Sequence, residues 1–157
     1  IVLEKLQLAG CDISLETDSI LIKRNDRIKP VDITTDVHPG FPTDLQAQWI
    51  ALMSIADGTS VVTESIYLDR FSHVPELIRL GANISLENNV AIIRGQKELI
   101  GAQVMSTDIR ASASLVIAAL MAKGRTDISR IYHIDRGYEQ IEEKFKLLGA
   151  DIHREKE

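Results

Sequence analysis

The chain has 157 residues, 45% of them hydrophobic and 26% charged, which is typical of a globular domain. Its formal net charge of −5 argues against a broad nucleic-acid-binding surface. The sequence contains no run of about 18 apolar residues, so no membrane-spanning helix is predicted. The single cysteine, Cys11, excludes an internal disulfide and favours a reducing, cytoplasmic compartment.

Helices and strands are predicted in chain order from apolar periodicity and from glycines that end helices. The opening segment, IVLEKLQLAG, is typical of a helix, and because the chain enters it without a Met, we expect a fragment. After it, helices are predicted within 45–58, before Gly81, and within 111–124 and 138–148. Strands are predicted within 19–24, 31–36, 60–70, 90–95, 102–108 and 126–136. Further strands are predicted directly after Gly10, Gly81 and Gly149.

One pattern, a helix end, a glycine suited to positive φ and a strand, occurs three times. The copies are LQLAGCDISLE (6–16), LIRLGANISLE (77–87) and FKLLGADIHRE (145–155). The segments between them also match, which predicts a repeated unit of strand, helix, strand, helix, strand, strand (βαβαββ). Unit 1 (1–30) is partial, unit 2 (31–101) is complete, and unit 3 (102–157) is nearly complete.

Two of the predicted helices are apolar or small on almost every side, at 45–56 and 111–122. A helix that is apolar all round is expected to be buried. The segment 138–148 instead has an apolar stripe and a charged remainder, which predicts a helix on an outer face. The fold class is therefore α+β (α/β) with buried helices, rather than a doubly wound fold with its sheet in the middle.

The loop HPGFPTD ends at Asp44, where the first buried helix begins. Thr43 and Gln46 have the spacing of a capping box, so Asp44 is suited to the first helical turn, where it complements the helix dipole. The alternative is that the loop directs the Asp44 carboxylate at a ligand.

Arg110 occupies the equivalent point of unit 3, because Asp44 and Arg110 stand equally far before Gly58 and Gly124, which end the two helices. A cation is unfavourable at a helix N-terminus. One explanation is an anion held by Arg110 and free helical N–H groups. The other is a salt bridge with a neighbour such as Asp108.

Arg136 lies in an Asp135-Arg136-Gly137 segment that is predicted to follow a strand and start the last helix. It is either solvated, or paired with Asp135, or converges with Arg110 on a small polyanion. The four histidines have no metal-ligand spacing, and no phosphate-binding glycine loop is present. The sequence therefore predicts no metal and no cofactor.

Four long strings carry a resemblance: HPGFPTDLQAQ (38–48), RFSHVPELIRLGA (70–82), GAQVMSTDIRASASLV (101–116) and IYHIDRGYEQIEEKFKLLGADI (131–152). Together they closely resemble the enolpyruvyl transferase family, and most of all its branch that acts on UDP-N-acetylglucosamine. Members have two domains, each an inside-out, barrel-like assembly of three βαβαββ units with buried helices, and the active site lies between the domains. The resemblance implies that residues 1–157 form a single incomplete domain without its partner domain.

By this resemblance, the full protein transfers enolpyruvyl from phosphoenolpyruvate to the 3-hydroxyl of UDP-N-acetylglucosamine. The matching positions are Asp44 as the base at the sugar hydroxyl, Asp108 beside the reacting centre, Ile66 as a backbone contact to the UDP-sugar, and Arg110 and Arg136 as ligands of phosphoenolpyruvate.

The family's reactive loop, with its acid cysteine or aspartate, belongs to the domain that this chain lacks, and Cys11 does not match it. We therefore expect the isolated chain to be inactive. Two alternatives remain at this stage: a relative that acts on shikimate 3-phosphate, and a non-catalytic assembly or binding domain. Neither nucleic acid nor a membrane is an expected partner.

Overall fold

The computed structural model describes residues 1–24 and 26–155, which form a mixed α/β fold. The helices are α1 (Val2–Leu8), α2 (Gln46–Met53), α3 (Val74–Arg79), α4 (Ile109–Met121), α5 (Tyr132–Asp135) and α6 (Ile141–Leu147). The strands are β1 (Cys11–Leu15), β2 (Ile20–Arg24), β3 (Ile33–Thr34), β4 (Thr59–Thr63), β5 (Asn83–Glu87), β6 (Val90–Arg94), β7 (Leu99–Ile100), β8 (Gln103–Met105), β9 (Ala122–Lys123) and β10 (Asp127–Ser129).

The largest sheet has the order β3-β4-β6-β5 and contains four of the five strands of unit 2. β3 and β4 are parallel, as a crossover through α2 requires, whereas β4–β6 and β5–β6 are antiparallel. Three smaller pairs complete the strands of the described residues: antiparallel β1–β2, and parallel β8–β10 and β7–β9.

α2 and α4 are buried and pack against each other, as their apolar sequences predict. Ile50 and Met53 of α2 and Leu115 of α4 are completely inaccessible to solvent. α4 approaches its neighbours closely because small residues, Ala and Ser, occupy much of its surface. This helix pair forms the centre of the core, with the four-stranded sheet also contributing buried side chains.

Two strands are shorter than predicted. β4 ends at Thr63 and β10 at Ser129, whereas strands were expected to continue through 70 and 136. After β4, the backbone N–H groups of Ile66 and Tyr67 turn back to the Glu64 carboxylate instead of joining a ladder. After β10, Arg130 has a φ of +56°, which ends the extended conformation.

The C-terminal part also differs from its prediction. Residues 132–135 form the short helix α5, and the outer helix α6 begins at Ile141 rather than 138, after Gln140 with a φ of +45°. Gly149 has the positive φ expected of it, but no strand follows. The corresponding strands of units 1 and 2 each have an antiparallel partner, whereas no described strand pairs with 151–155.

The β1–β2 hairpin presents an exposed apolar face. Ile13 lies opposite Ile22, and Leu15 lies opposite Ile20. Leu15, Ile20 and Ile22 are exposed, although Ile93, which matches Ile22 in the repeat, is completely buried.

In the described residues, no helix is long and apolar enough to cross a membrane.

We predict that Gly95→Ala destabilises the fold strongly. A Cβ at Gly95 would lie 1.8 Å from the Ala56 carbonyl oxygen, so backbone would have to move, at a cost of about 2 kcal/mol or more. Gly124→Ala is the comparison, because no atom lies within 4 Å and only its φ of +94° is strained, at about 1 kcal/mol. Denaturant titration measures both, and equal losses would contradict the close backbone approach.

Candidate functional site

The N-terminal ends of the two buried helices are joined by an ion pair. Asp44 lies in a 3-10 turn, Thr43–Leu45, that leads into α2, and Arg110 lies in the first turn of α4. Arg110 Nε donates to Asp44 Oδ1 at 2.5 Å, and Arg70 Nη1 donates to the same oxygen at 3.2 Å. The Asp44 side chain is 64% exposed and Arg110 38%, so this pair faces solvent. The structure therefore brings together two residues that sequence analysis identified as equivalent positions of the repeat.

The side chain of Asp108 caps the start of α4. Its Oδ1 accepts hydrogen bonds from the backbone N–H of Arg110 at 2.8 Å and of Ala111 at 3.0 Å. The backbone N–H groups of Arg110 and Ala111, which were expected to be free, are therefore hydrogen-bonded to Asp108. The alternative of a salt bridge is confirmed for Arg110, but its partner is Asp44 and not Asp108.

The Asp108 carboxylate is held in its ionised form. Burial is the largest influence and would raise its pKa, but the N–H groups of Ala111 and Arg110, the Ser72 hydroxyl and the nearby His73 together lower the pKa below its ordinary value. Ser72 Oγ donates to Asp108 Oδ2 at 3.1 Å. Burial also lowers the pKa of His73 to about 4, against the opposing effect of Asp108, so His73 is neutral at pH 7.

The capping box predicted for Thr43 and Gln46 is wrong. The residue before the 3-10 turn is Pro42, and no side chain caps either the turn or α2. The Thr43 hydroxyl is engaged elsewhere: it donates to Glu64 Oε2 at 2.9 Å and accepts from Arg70 Nη1 at 2.8 Å. The position of Asp44 thus depends on contacts with residues far along the chain.

Glu64 is a buried carboxylate that sequence analysis missed. Its residue is completely inaccessible, and it accepts four hydrogen bonds, from the hydroxyls of Thr35 and Thr43 and from the N–H groups of Ile66 and Tyr67. Burial is the largest influence and would raise the pKa of Glu64, but these hydrogen bonds together outweigh it and lower the pKa. Its position in the strand-like run SVVTES was the available signal, because a charge there has to be satisfied.

Ile66 lies in the loop that Glu64 organises. Its side chain is exposed and its N–H donates to Glu64 Oε1 at 2.9 Å. The next residue, Tyr67, donates its own N–H to the same oxygen and places its ring under Arg70, whose guanidinium carbon lies 4.1 Å from the ring centroid. Arg70 was also missed as a site residue, and it links this loop to Asp44.

Arg136 is not where the sequence placed it. It ends α5 instead of starting the last helix, it is exposed, and it has no ion pair within residues 1–24 and 26–155. The expected Asp135–Arg136 pair is absent, because Arg154 forms a two-pronged contact with Asp135. A Cβ on Gly137 would lie 2.0 Å from Ile109 Cδ1, so the Arg136 loop packs against the start of α4.

Chemically, this edge combines two carboxylates, Asp44 and Asp108, with guanidinium groups from Arg110 and Arg136 nearby. Carboxylates can orient or deprotonate a hydroxyl, and guanidinium groups bind carboxylate or phosphate oxygens. Within the described part of the chain, no group of three or more acidic, His or Cys side chains is arranged to hold a metal ion.

Comparison with known proteins identifies close relatives. The family model described as EPSP synthase (3-phosphoshikimate 1-carboxyvinyltransferase) matches residues 1–145. The UDP-N-acetylglucosamine 1-carboxyvinyltransferase of Myxococcus xanthus is 58% identical over 153 residues, and that of Prosthecochloris aestuarii is 54% identical over 154. Each match covers 98% of this chain but 36% of the relative, so the chain spans about a third of the length of these curated relatives.

Solved structures show the same fold. The enolpyruvyl transferase NikO from Streptomyces tendae superposes with a TM-score of 0.88 at 29% identity, covering 97% of this chain and 35% of that one. The EPSP synthase from Acinetobacter baumannii superposes with a TM-score of 0.70 at 16% identity, covering 98% of this chain and 36% of that one, a likeness of fold alone.

We predict that Glu64 makes stability depend on acid pH. Its pKa in the folded chain lies below the ordinary value of 4.5, so its stabilising effect is complete above about pH 4.5 and is lost as the pH falls through the folded pKa. The melting temperature should therefore fall from about pH 6 to about pH 3, and less steeply in Glu64→Gln than in the wild type. Asp108 acts in the same direction, so some slope remains in the variant.

Circular dichroism melts over this range measure the effect, with Glu87→Gln, at an exposed strand end, as the matched control. A Glu64→Gln slope equal to that of the wild type would contradict the stabilising role of the ionised carboxylate.

Proposed function

Since the chain belongs to the EPSP synthase (3-phosphoshikimate 1-carboxyvinyltransferase) family, we propose that it is part of an enolpyruvyl transferase that acts on UDP-N-acetylglucosamine. The reaction moves the enolpyruvyl group of phosphoenolpyruvate to the sugar 3-hydroxyl and releases phosphate, the first committed step of peptidoglycan synthesis. The names of the Myxococcus xanthus and Prosthecochloris aestuarii relatives support this substrate. A cytoplasmic location is consistent with the single cysteine and with nucleotide-sugar chemistry.

The observation that carries the proposal is the Asp44–Arg110 pair at the exposed ends of two buried helices. The reaction needs a base at a hydroxyl beside cations that bind an anionic co-substrate. Asp44 is the proposed base, and Arg110 is a proposed ligand of phosphoenolpyruvate, held next to it. Asp108 is proposed to lie beside the reacting centre, and its carboxylate fixes the backbone of Arg110.

Two further residues complete the proposed site. Arg136 has no competing ion pair in the described residues, so its guanidinium is available for phosphoenolpyruvate. The N–H of Ile66 is used by Glu64, which leaves its carbonyl oxygen as the backbone group to contact the UDP-sugar.

We also propose that the chain is one incomplete domain and that its partner domain supplies the remaining catalytic groups. The exposed hairpin of unit 1 supports this, because Ile22 is exposed where its unit 2 counterpart, Ile93, is buried. A segment equivalent to β3, α2 and β4 would cover that face. The partner domain would bring the acid that protonates the methylene carbon of phosphoenolpyruvate.

We predict that Asp44→Ala in the full-length polypeptide lowers turnover by about 100-fold or more, because general-base catalysis contributes roughly 10²–10⁴-fold. The fold should be retained, since exposed ion pairs contribute only about 0–1 kcal/mol. Phosphate release from phosphoenolpyruvate and UDP-N-acetylglucosamine measures turnover. Asp57→Ala is the matched control, because Asp57 is another exposed aspartate paired with an arginine, Arg27.

The same assay tests the proposed function itself. No phosphate release by the wild-type full-length polypeptide with the UDP-sugar, or binding of shikimate 3-phosphate instead of the UDP-sugar in calorimetry, would overturn it. The isolated 157-residue chain is expected to release none. Clear turnover by that chain would overturn the proposal that the domain is incomplete.

We predict that Arg136→Ala in the full-length polypeptide raises the KM for phosphoenolpyruvate more than the KM for the UDP-sugar, because the lost guanidinium binds only the smaller anion. Arg79→Ala, at another exposed arginine, controls for a general loss of positive charge. Initial rates at varied concentrations of each substrate separate the two constants. An equal rise in both KM values would count against this role.

A further inference from the structure

We propose that Glu64 is a positioning residue, which fixes the Asp44 carboxylate and the Ile66 backbone relative to each other so that both face the same UDP-sugar. The inference rests on the proposed function, and it assigns a role to a residue that the resemblance did not select. Glu64 does not touch substrate in this role. It acts through Thr43 on one side and through the 64–67 loop on the other.

The two oxygens of Glu64 hold two different parts of the site. Oε2 accepts from the hydroxyl of Thr43, the residue directly before Asp44, at 2.9 Å. Oε1 accepts from the N–H of Ile66 at 2.9 Å and of Tyr67 at 3.0 Å. One rigid carboxylate therefore sets the distance between the turn that carries Asp44 and the loop that carries Ile66.

The hydrogen bonds toward Asp44 have a fixed direction. A carboxylate only accepts and a guanidinium only donates, so Thr43 must direct its proton at Glu64 and its lone pair at Arg70. Arg70 Nη1 then donates both to Thr43, at 2.8 Å, and to Asp44, at 3.2 Å. The sequence Glu64, Thr43, Arg70, Asp44 is thus a polar chain in which each group orients the next.

Burial makes this arrangement stiff. Glu64 and Thr35 are completely inaccessible to solvent, and the Thr35 hydroxyl donates a third hydrogen bond to Oε1, at 2.7 Å. An ionised carboxylate in such a place persists only while its hydrogen bonds are made, so the surrounding groups cannot relax away independently. A buried hydrogen-bonded carboxylate therefore holds a catalytic base in position more rigidly than an exposed ion pair would.

Two substitutions test the inference in the full-length polypeptide. Glu64→Gln places an amide donor or a neutral oxygen against Thr43 and disrupts the fixed direction of the chain. Thr43→Val removes the hydroxyl that joins Glu64 to Arg70 while keeping the shape. We expect each to lower kcat about 100-fold, since a small misplacement of a catalytic group costs about that much, while the KM for phosphoenolpyruvate changes less than about twofold.

The controls separate positioning from general damage. Thr43→Ser retains the hydroxyl and should restore a kcat within about threefold of the wild type. Glu76→Gln alters a partly buried glutamate that also accepts a backbone N–H, from Met105, and should leave kcat and both KM values unchanged. If Glu64→Gln does not fold, the Val and Ser variants at Thr43 decide the question.

The outcomes are distinguishable. An active wild type with Thr43→Val as fast as Thr43→Ser, or with Glu64→Gln as fast as Glu76→Gln, overturns the positioning role and leaves the proposed function intact. Equal losses in kcat and in substrate binding also overturn it. A wild type that releases no phosphate from the UDP-sugar overturns the proposed function, and the positioning role with it.

Discussion

The packing of α2 against α4 is the constraint on which the rest of this structure depends. Both helices are buried on nearly every side, so their side chains leave little freedom for either helix to slide or turn. Their N-terminal ends meet at one exposed edge, where Asp44, in the turn before α2, and Arg110 of α4 form an ion pair. The pair itself contributes little to stability, because it is exposed. The geometry of the pair is set by the apolar packing of α2 against α4.

Local sequence patterns predicted the elements that local physics determines. Glycines at 10, 81 and 149 have the positive φ expected at helix ends, and the two helices without a polar face are buried. The failures lie where a side chain captures backbone N–H groups or where a residue other than glycine has a positive φ. β4 ends because Glu64 draws the next N–H groups to its carboxylate, and no periodicity reveals that choice.

The candidate site was predictable in part, and for a similar reason. Comparison of the repeats selected Asp44 and Arg110 as equivalent positions of opposite charge, but not that they touch. Thr43 fitted a local capping rule, yet its hydroxyl has buried and charged partners 21 and 27 residues away. Asp108, in contrast, does act as a cap, because nothing competes with the N–H groups two and three residues ahead of it. Arg70 and Glu64 were missed because their partners Thr35, Thr43 and Asp44 lie 21 to 29 residues away in the sequence.

The Asp44–Arg110 contact has a thermodynamic consequence. An anion that binds the Arg110 guanidinium must either displace Asp44 from it or bind beside Asp44. The rearrangement of the ion pair therefore reduces the net free energy of anion binding. A group that engages the Asp44 carboxylate first would release Arg110 and remove the same cost. By linkage, the two effects are equal in size, so occupancy at either residue changes affinity at the other by a common factor. A single exposed ion pair thereby couples the ends of two helices that belong to different copies of the repeat.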